Sequence, residues 1–280
     1  MIVSCDNSIN NIYYNDHAIK KVYGCEGRLV WSGDTPSPTP HDYSQDYLTF
    51  TAKEKVYFGY HFVDVTTPLW FSINSGATWY KLDNDNIYHT PILNPGDKIM
   101  WRGTLSPDQG VGQDYGIGRF IPYNEDNVSG KGRFTAEGNV MSLMYYDDYE
   151  GKTSLSGQSY ALYRLFSGNT ELENAENLVL PATTLSTLCY AGMFTGCKSL
   201  TSAPTLPAPV LEVGCYQNMF HNCINLNRVK CLATDISAYG CTNYWLDNVP
   251  QTGTFVKASS MNNWTSGSSG IPSGWTVVNT

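Results

Sequence analysis

Along the first 165 residues apolar and polar positions change places at short range. Small runs of aromatic and β-branched residues are cut by Gly, Asn, Asp and Pro. Tyr47-Leu48-Thr49-Phe50, Val56-Tyr57-Phe58 and Lys98-Ile99-Met100-Trp101 have the length and composition of strands. Leu69 to Ile73 runs into Asn74-Ser75-Gly76 and returns through Thr78 to Leu82, which predicts a hairpin. Phe134 and Val140-Met141-Ser142-Leu143-Met144 predict further strands. Short strands separated by turns at regular spacing predict a β-sandwich-like domain over 43–165. Ahead of it, Ile12, Tyr14, Ile19, Val22, Tyr23, Leu29, Val30 and Trp31, with turns at Asn15-Asp16 and Gly24 to Gly27, predict a small β unit over 1–33. Residues 34–42, with prolines at 36, 38 and 40, read as an extended linker.

From residue 166 the rhythm lengthens. Pro181 recurs as Pro207, Cys189 as Cys215, Met193 as Met219, Phe194 as Phe220, Cys197 as Cys223 and Leu200 as Leu226, each 26 residues on. A fading third copy sets Leu232 opposite Leu206, Cys241 opposite Cys215, Trp245 opposite Met219 and Leu246 opposite Phe220. An incoming copy places Phe166 and Leu172 28 residues before Phe194 and Leu200. A period in the twenties predicts a solenoid over 166–250, closed by a C-terminal cap over 251–280. Cys189 and Met193 are four apart, as are Tyr190 and Phe194, so a short helix is expected in each coil. Leu200, Ala203 and Leu206, and again Leu226, Val229 and Leu232, are expected to point inward from a strand. The fold class expected is therefore multidomain β plus α/β.

The repeat also bears on the cysteines. The phrases Cys189 to Cys197 and Cys215 to Cys223 have C-x7-C spacing, wider than the two to four residues usual between paired zinc ligands. His221 stands where Thr195 stands in the preceding copy, so the repeat requires no ligand there. No base or cation recurs with the phrase to activate a nucleophilic thiol. The thiols are thus expected to pack as small apolar groups between coils.

Composition narrows the function. Tyr (20) and Trp (7) are abundant and charged residues make up 15%, which favours turn-rich β structure. The formal net charge is −8 and the basic residues do not cluster beyond Lys20-Lys21, so nucleic acid is not expected as a partner. No apolar run is long enough to span a bilayer, and no membrane insertion is expected. The opening MIVSCDNSINNIYYNDHAIKK lacks a basic segment followed by an apolar one. That predicts synthesis and retention in the cytoplasm, with the eight cysteines as thiols.

The stretch Leu200 to Phe220, LTSAPTLPAPVLEVGCYQNMF, resembles the BspA-like leucine-rich repeat family, with Leu200, Ala203, Leu206, Pro207 and Met219-Phe220 at its repeat positions. Cys197 and Cys223 match the position of its Asn/Cys ladder. Gly253 to Val277 is similar to the closing cap of the Bacteroidales members. Gly116 to Phe120 and Gly138 to Leu143 resemble the β domain that precedes their repeats. The segment Ile19-Lys20-Lys21-Val22-Tyr23 with Arg28-Leu29-Val30-Trp31 resembles a piece found at the start of phage tail and fibre proteins, including those of crAss-like phages; Cys25 departs from that pattern. These resemblances imply a leucine-rich repeat fold and a role in surface recognition.

Candidate chemistry is sparse. Ser72 to Trp79 resembles the Asp-box of sialidases, with Asn74 in place of Asp, and is read as a hairpin with its Trp packed inward. Tyr145-Tyr146-Asp147-Asp148-Tyr149-Glu150 offers adjacent acids, whereas glycosidases hold two carboxyls on separate elements across a sugar. The EF-hand spacing is absent from it. His61 and Asp64 have no serine or cysteine motif beside them, and His61 is expected at a strand edge. No phosphate-cradling loop is present, and no cofactor and no metal are expected. Outward positions of the repeat strands, Asn174, Ser202, Thr205, Arg228 and Lys230, are the candidate ligand-binding residues; Ile19, Val22, Tyr23, Leu29 and Trp31 are the candidate anchoring residues.

The expectation is a non-enzymatic phage tail or fibre component located in the virion. Residues 1–40 would join other virion tail proteins, the repeat would bind a host-surface glycan or protein, and the protein would act as a homo-oligomer. A secreted or surface adhesin of a gut Bacteroidales bacterium and a glycan depolymerase are the alternatives.

Overall fold

A computed structural model describes residues 41–61, 67–82, 89–107 and 116–280, and the backbone of four short strands nearer the N-terminus. These are β1 (Tyr13–Tyr14), β2 (His17–Ala18), β3 (Lys21–Tyr23) and β4 (Leu29–Ser32). β1 pairs antiparallel with β2, and β3 with β4, with Val22 opposite Trp31 and Tyr23 opposite Leu29. Ile19 and the three linker prolines lie outside the described residues; Val22, Tyr23, Leu29 and Trp31 are described as backbone alone. The chain forms two compact units, Met1–Asp42 and Tyr43–Thr280.

In the second unit strands follow one another with a single α-helix among the described residues, α1 (Ser142–Tyr145). The strands are β5 (Leu48–Ala52), β6 (Val56–His61), β7 (Leu69–Ser72), β8 (Tyr80–Leu82), β9 (Lys98–Gly103), β10 (Arg119–Asn124) and β11 (Phe134–Asn139). They continue with β12 (Leu172–Asn174) and β13 (Leu178–Val179). β8, β7, β9, β5, β11 and β12 lie side by side in one sheet, and β13 also pairs with β11. Period-two alternation sets the inward face: Ile99 and Trp101 on β9 are buried while Lys98, Met100 and Arg102 face out. β6 and β10 form a separate antiparallel ribbon. Its Phe58 and Phe120 meet Phe50, Trp101 and Phe134 of the sheet, with Phe50 ring centroids 4.8–5.6 Å from theirs. The hairpin expected over 69–82 is present as β7 and β8. The strand expected over Val140–Met144 is instead the turn leading into α1: Met144 and Tyr145 N–H both donate to Met141 O, and Ser142 Oγ crosslinks β5 and β9 through Leu48 N and Trp101 O.

The C-terminal part is solenoid-like, with about three turns at 202–279. β14 (Ser202–Leu206), β15 (Arg228–Cys231), β16 (Thr254–Lys257) and β17 (Thr276–Asn279) form a parallel four-stranded sheet. Ser202, Arg228, Thr254 and Thr276 share one register. A bulge at Ala203-Pro204 then shifts it, so Leu206 faces Cys231 rather than Leu232. Cys231 is buried, and Leu232, expected in the core, is half-exposed.

The expected helices are absent, and with them the α/β character. Residues 186–197 and 212–223 instead run as overlapping turns. Ala191, Met193, Thr195 and Cys197 N–H donate three residues back, to Leu188, Tyr190, Gly192 and Phe194 O. Leu188, Tyr190, Gly192, Phe194 and Gly196 N–H donate to Val213, Cys215, Gln217, Met219 and His221 O in the next coil. Every second amide therefore serves the coil and the others serve the stack, so the backbone groups are paired without a helix. This path needs a left-handed residue at every fourth position. Gly192 (φ 63), Gly196 (φ 74), Gly214 (φ 60), Asn218 (φ 54) and Asn222 (φ 62) supply it.

The coils bury a spine of aromatic rings. Phe120, Phe166, Phe194 and Phe220 stack in sequence at 5.9, 5.4 and 5.5 Å, with interplanar angles of 18°, 11° and 9°. Tyr216, Trp245 and Trp264 carry a second column to the C-terminal end, at 6.3 and 5.3 Å.

Candidate functional site

The outward face of the repeat strands brings most of the candidate binding residues together. Ser202 and Arg228 are register partners, as are Thr205 and Lys230. Thr205 and Arg228 are exposed, and Ser202 and Lys230 are half-buried. Asn174 lies on β12, beside Ser202: Thr201 N–H donates to Glu173 O, and Ala175 N–H to Ser202 O. Its side-chain oxygen accepts from Glu176 N–H at 2.7 Å, which commits it locally. Thr254 and Thr276 extend the row with two more hydroxyls.

Charge on this face is uneven. Toward β9 and β11 the cations are neutralised: Lys98 by Glu137 (2.6 Å), Lys131 by Glu171 (2.9 Å) and Arg133 by Glu173 (2.5 Å). Burial alone would raise the Glu171 carboxyl, but Lys131 and the Gly132 amide together hold it below its ordinary value. Arg228 and Lys230 make no such pair among the described residues, so β15 presents two uncompensated positive charges among hydroxyls.

A second feature escaped the sequence reading. Arg102 on β9 lies between two rings, 4.1 Å from the Trp79 centroid and 3.9 Å from that of Tyr146, and its Nη1 reaches Asp147 Oδ1 at 2.7 Å. Tyr47 donates to the same carboxylate oxygen at 2.8 Å and packs edge-on against Trp79. Burial and then Asp147 raise the Tyr47 hydroxyl above its ordinary value. Trp79 thus packs on the outer face of the sheet around a cation, not inward. Its hairpin is tied by Ser72 Oγ, which accepts from Gly76 N–H at 3.0 Å, and by Asn74 Oδ1, which accepts from Thr78 N–H at 2.9 Å. The only sequence signal was the density of Tyr over 145–149; nothing in it pairs those residues with Arg102.

The acids of 147–150 are engaged separately. Asp147 joins Arg102, Asp148 joins Lys152 at 2.8 Å, and the buried Tyr149 donates to Gln45 O at 2.7 Å. His61 ends β6 and is exposed; Asp64 lies outside the described residues.

The six described cysteines are buried thiols. Cys197 donates to Phe166 O and Cys223 to Phe194 O, at 3.2 and 3.1 Å, each to the preceding coil. Burial pushes Cys189 and Cys231 up to about 12, and raises Cys197, Cys215, Cys223 and Cys241 as well. Such groups stay protonated near neutrality and are poor nucleophiles. Among the described residues no three His, Cys, Asp or Glu side chains gather as metal ligands would.

No family model, curated protein or solved structure matches the chain.

Proposed function

We propose that this protein is a non-enzymatic phage tail or fibre component that binds a host surface. In this reading 43–165 is a β-sandwich-like domain, 166–250 a leucine-rich repeat solenoid of BspA-like type and 251–280 its cap. Residues 1–40 join the neighbouring virion proteins. The observation that supports binding is the outer face of the repeat sheet, where Arg228 and Lys230 stand without an ion-pair partner among the described residues, in register with Ser202 and Thr205. A rigid parallel sheet holds those four side chains in fixed relation, so little ordering entropy is lost on contact. Copies in an oligomer would multiply weak individual contacts into firm attachment.

Two measurements test the reading. Mass spectrometry of purified virions should detect the chain; finding it on bacterial cell envelopes instead would favour a host adhesin. Labelled full-length protein should adhere to a panel of Bacteroidales cells, and the double variant Arg228→Ala, Lys230→Ala should adhere at least about tenfold less, the equivalent of about 1.4 kcal/mol. Adhesion that is absent, or indifferent to both substitutions, would remove the strand face from the proposal.

A further inference from the structure

The opposite side of the coil, where the turns stack, carries a groove of its own. Its volume is about 420 Å³, at the small end of the range for ligand sites. Tyr160, Tyr163 and Arg164 wall one side, Gly192 of the next coil forms the floor, and Gln217, Asn218 and His221 of the coil beyond wall the other side.

Backbone conformation sets these walls apart. Residues 160, 164, 188, 192, 214 and 218 all have positive φ, and three of the six are Gly or Asn, which adopt it easily. Tyr160 (φ 60) and Arg164 (φ 56) do not share that ease, yet they hold the same conformation at the mouth of the groove. Gly192 completes the shape: a Cβ there would lie 3.0 Å from Arg164 Cγ, so the floor stays open only without a side chain.

The groove's chemistry is two-sided. The Tyr160 and Tyr163 rings meet edge to face at 5.7 Å and offer apolar walls. The Gln217 and Asn218 side-chain amides make no hydrogen bond among the described residues, and His221 Nδ1 lies 3.1 Å from Asp247 Oδ2 without the alignment of a hydrogen bond. Arg164 lies 5.1 Å from the Tyr163 ring and has no carboxylate partner among the described residues. Apolar faces beside a rim of amides suit a pyranose ring, whose C–H faces are apolar and whose edge is hydroxylated. An unpaired guanidinium suits a carboxylate on that ring.

We propose that this turn-face groove is a binding site for an acidic saccharide, a hexuronate-type unit stacked against the tyrosine pair with its carboxylate on Arg164. The site is separate from the strand face, and either can stand without the other.

The test uses full-length protein, with trigalacturonate and the neutral maltotriose as probes in calorimetric titration. Trigalacturonate should bind and maltotriose should bind more weakly. Tyr160→Gly and Arg164→Gly should each weaken trigalacturonate by at least about tenfold. Glycine suits both backbone positions, so these variants should fold, and a cooperative thermal melt in each shows that the loss reports on binding rather than unfolding. Titration of the Arg228→Ala, Lys230→Ala variant separates the groove from the strand-face cations: trigalacturonate binding should survive there, and its loss there would place the sugar on the strand face and overturn the proposal. Absence of trigalacturonate binding, equal binding of the two sugars, or binding unchanged in Tyr160→Gly and Arg164→Gly would each overturn the proposal.

Discussion

At the scale of single residues, the thiols show how burial becomes chemistry. Cys189 and Cys231 ordinarily titrate near 9.0 and are held up to about 12 in the fold, with desolvation as the leading cause. Between those values the unfolded chain has lost the proton and the folded chain has kept it. Stability is therefore fully present below pH 9 and drains as pH rises toward 12, by up to about 1.4 kcal/mol per pH unit for each such thiol. Thermal melts should show a steep alkaline fall in Tm beginning near pH 9, and Cys189→Ala with Cys231→Ala should make it shallower, the other four raised thiols sustaining the remainder. A Tm unchanged from pH 8 to 11 would contradict this account. The same burial predicts that iodoacetamide leaves all six described cysteines unmodified in native protein and modifies them in urea, as peptide mass mapping can check. Structural thiols were legible in the sequence because the C-x7-C spacing and the lack of a recurring base pointed away from ligation and nucleophilic chemistry. Their partners were not, since a contact from Cys223 Sγ to Phe194 O joins residues 29 apart.

At the scale of elements, the stack of turns shows why a sound periodicity gave the wrong element. Apolar residues four apart fit one helical turn, and Cys189/Met193 and Tyr190/Phe194 do lie together in the core. The signal that distinguishes the two was present alongside: Gly192/Asn218 and Gly196/Asn222 recur at the same four-residue step. Gly and Asn are poor in helix interiors and good in left-handed turns. A repeat that keeps either Gly or Asn at one position, and nothing else, reports positive φ. The rule has exceptions in this chain, and they are testable. Tyr244 holds φ 53 in the position occupied by Gly192 and Asn218 in earlier coils, and its side chain is largely exposed. Tyr244→Asn should raise stability by about 1 kcal/mol, because Asn tolerates the conformation that Tyr resists. Gly192→Val should lower it by about 2 kcal/mol or more, adding contact with Arg164 to the backbone strain. Denaturant midpoints measure both, and a Tyr244→Asn variant less stable than wild type would show that its ring contributes something the stack needs. Strands were read more securely than turns, since alternation along Lys98 to Trp101 depends on neighbours in sequence alone, whereas β10 was missed because Arg119 to Asn124 alternates weakly and owes its place to pairing with β6.

At the scale of the molecule, the repeat and the β sheet before it are one physical body. β12 and β13 of the first coil pair in parallel with β11, which itself pairs with β5. The aromatic column beginning at Phe120 on β10 passes through Phe166 into Phe194 and Phe220, and Phe166 also lies 5.8 Å from Phe50. The sequence announced the change of rhythm near residue 166 but held no sign of this continuity, because ring stacking across 46 residues leaves no local trace. Continuity has a mechanical consequence. A solenoid joined to its neighbour by a flexible segment would open coil by coil from either end, whereas one whose first coil shares a sheet and a core with a larger domain opens from the side away from that domain. Phe166→Ala removes a ring common to both parts and should cost about 3–5 kcal/mol. In hydrogen-exchange mass spectrometry it should weaken protection in β5 and in residues 188–197 together. Phe255→Ala, at the far end against Trp245 and Trp264, should expose β16 and β17 while leaving β5 near its wild-type protection. If Phe166→Ala loosened the coils and left β5 untouched, the two parts would be separate stability units despite their common sheet. The proposed binding faces would then ride on a repeat able to loosen by itself, and the rigidity invoked for Arg228 and Lys230 would have to come from the repeat sheet alone.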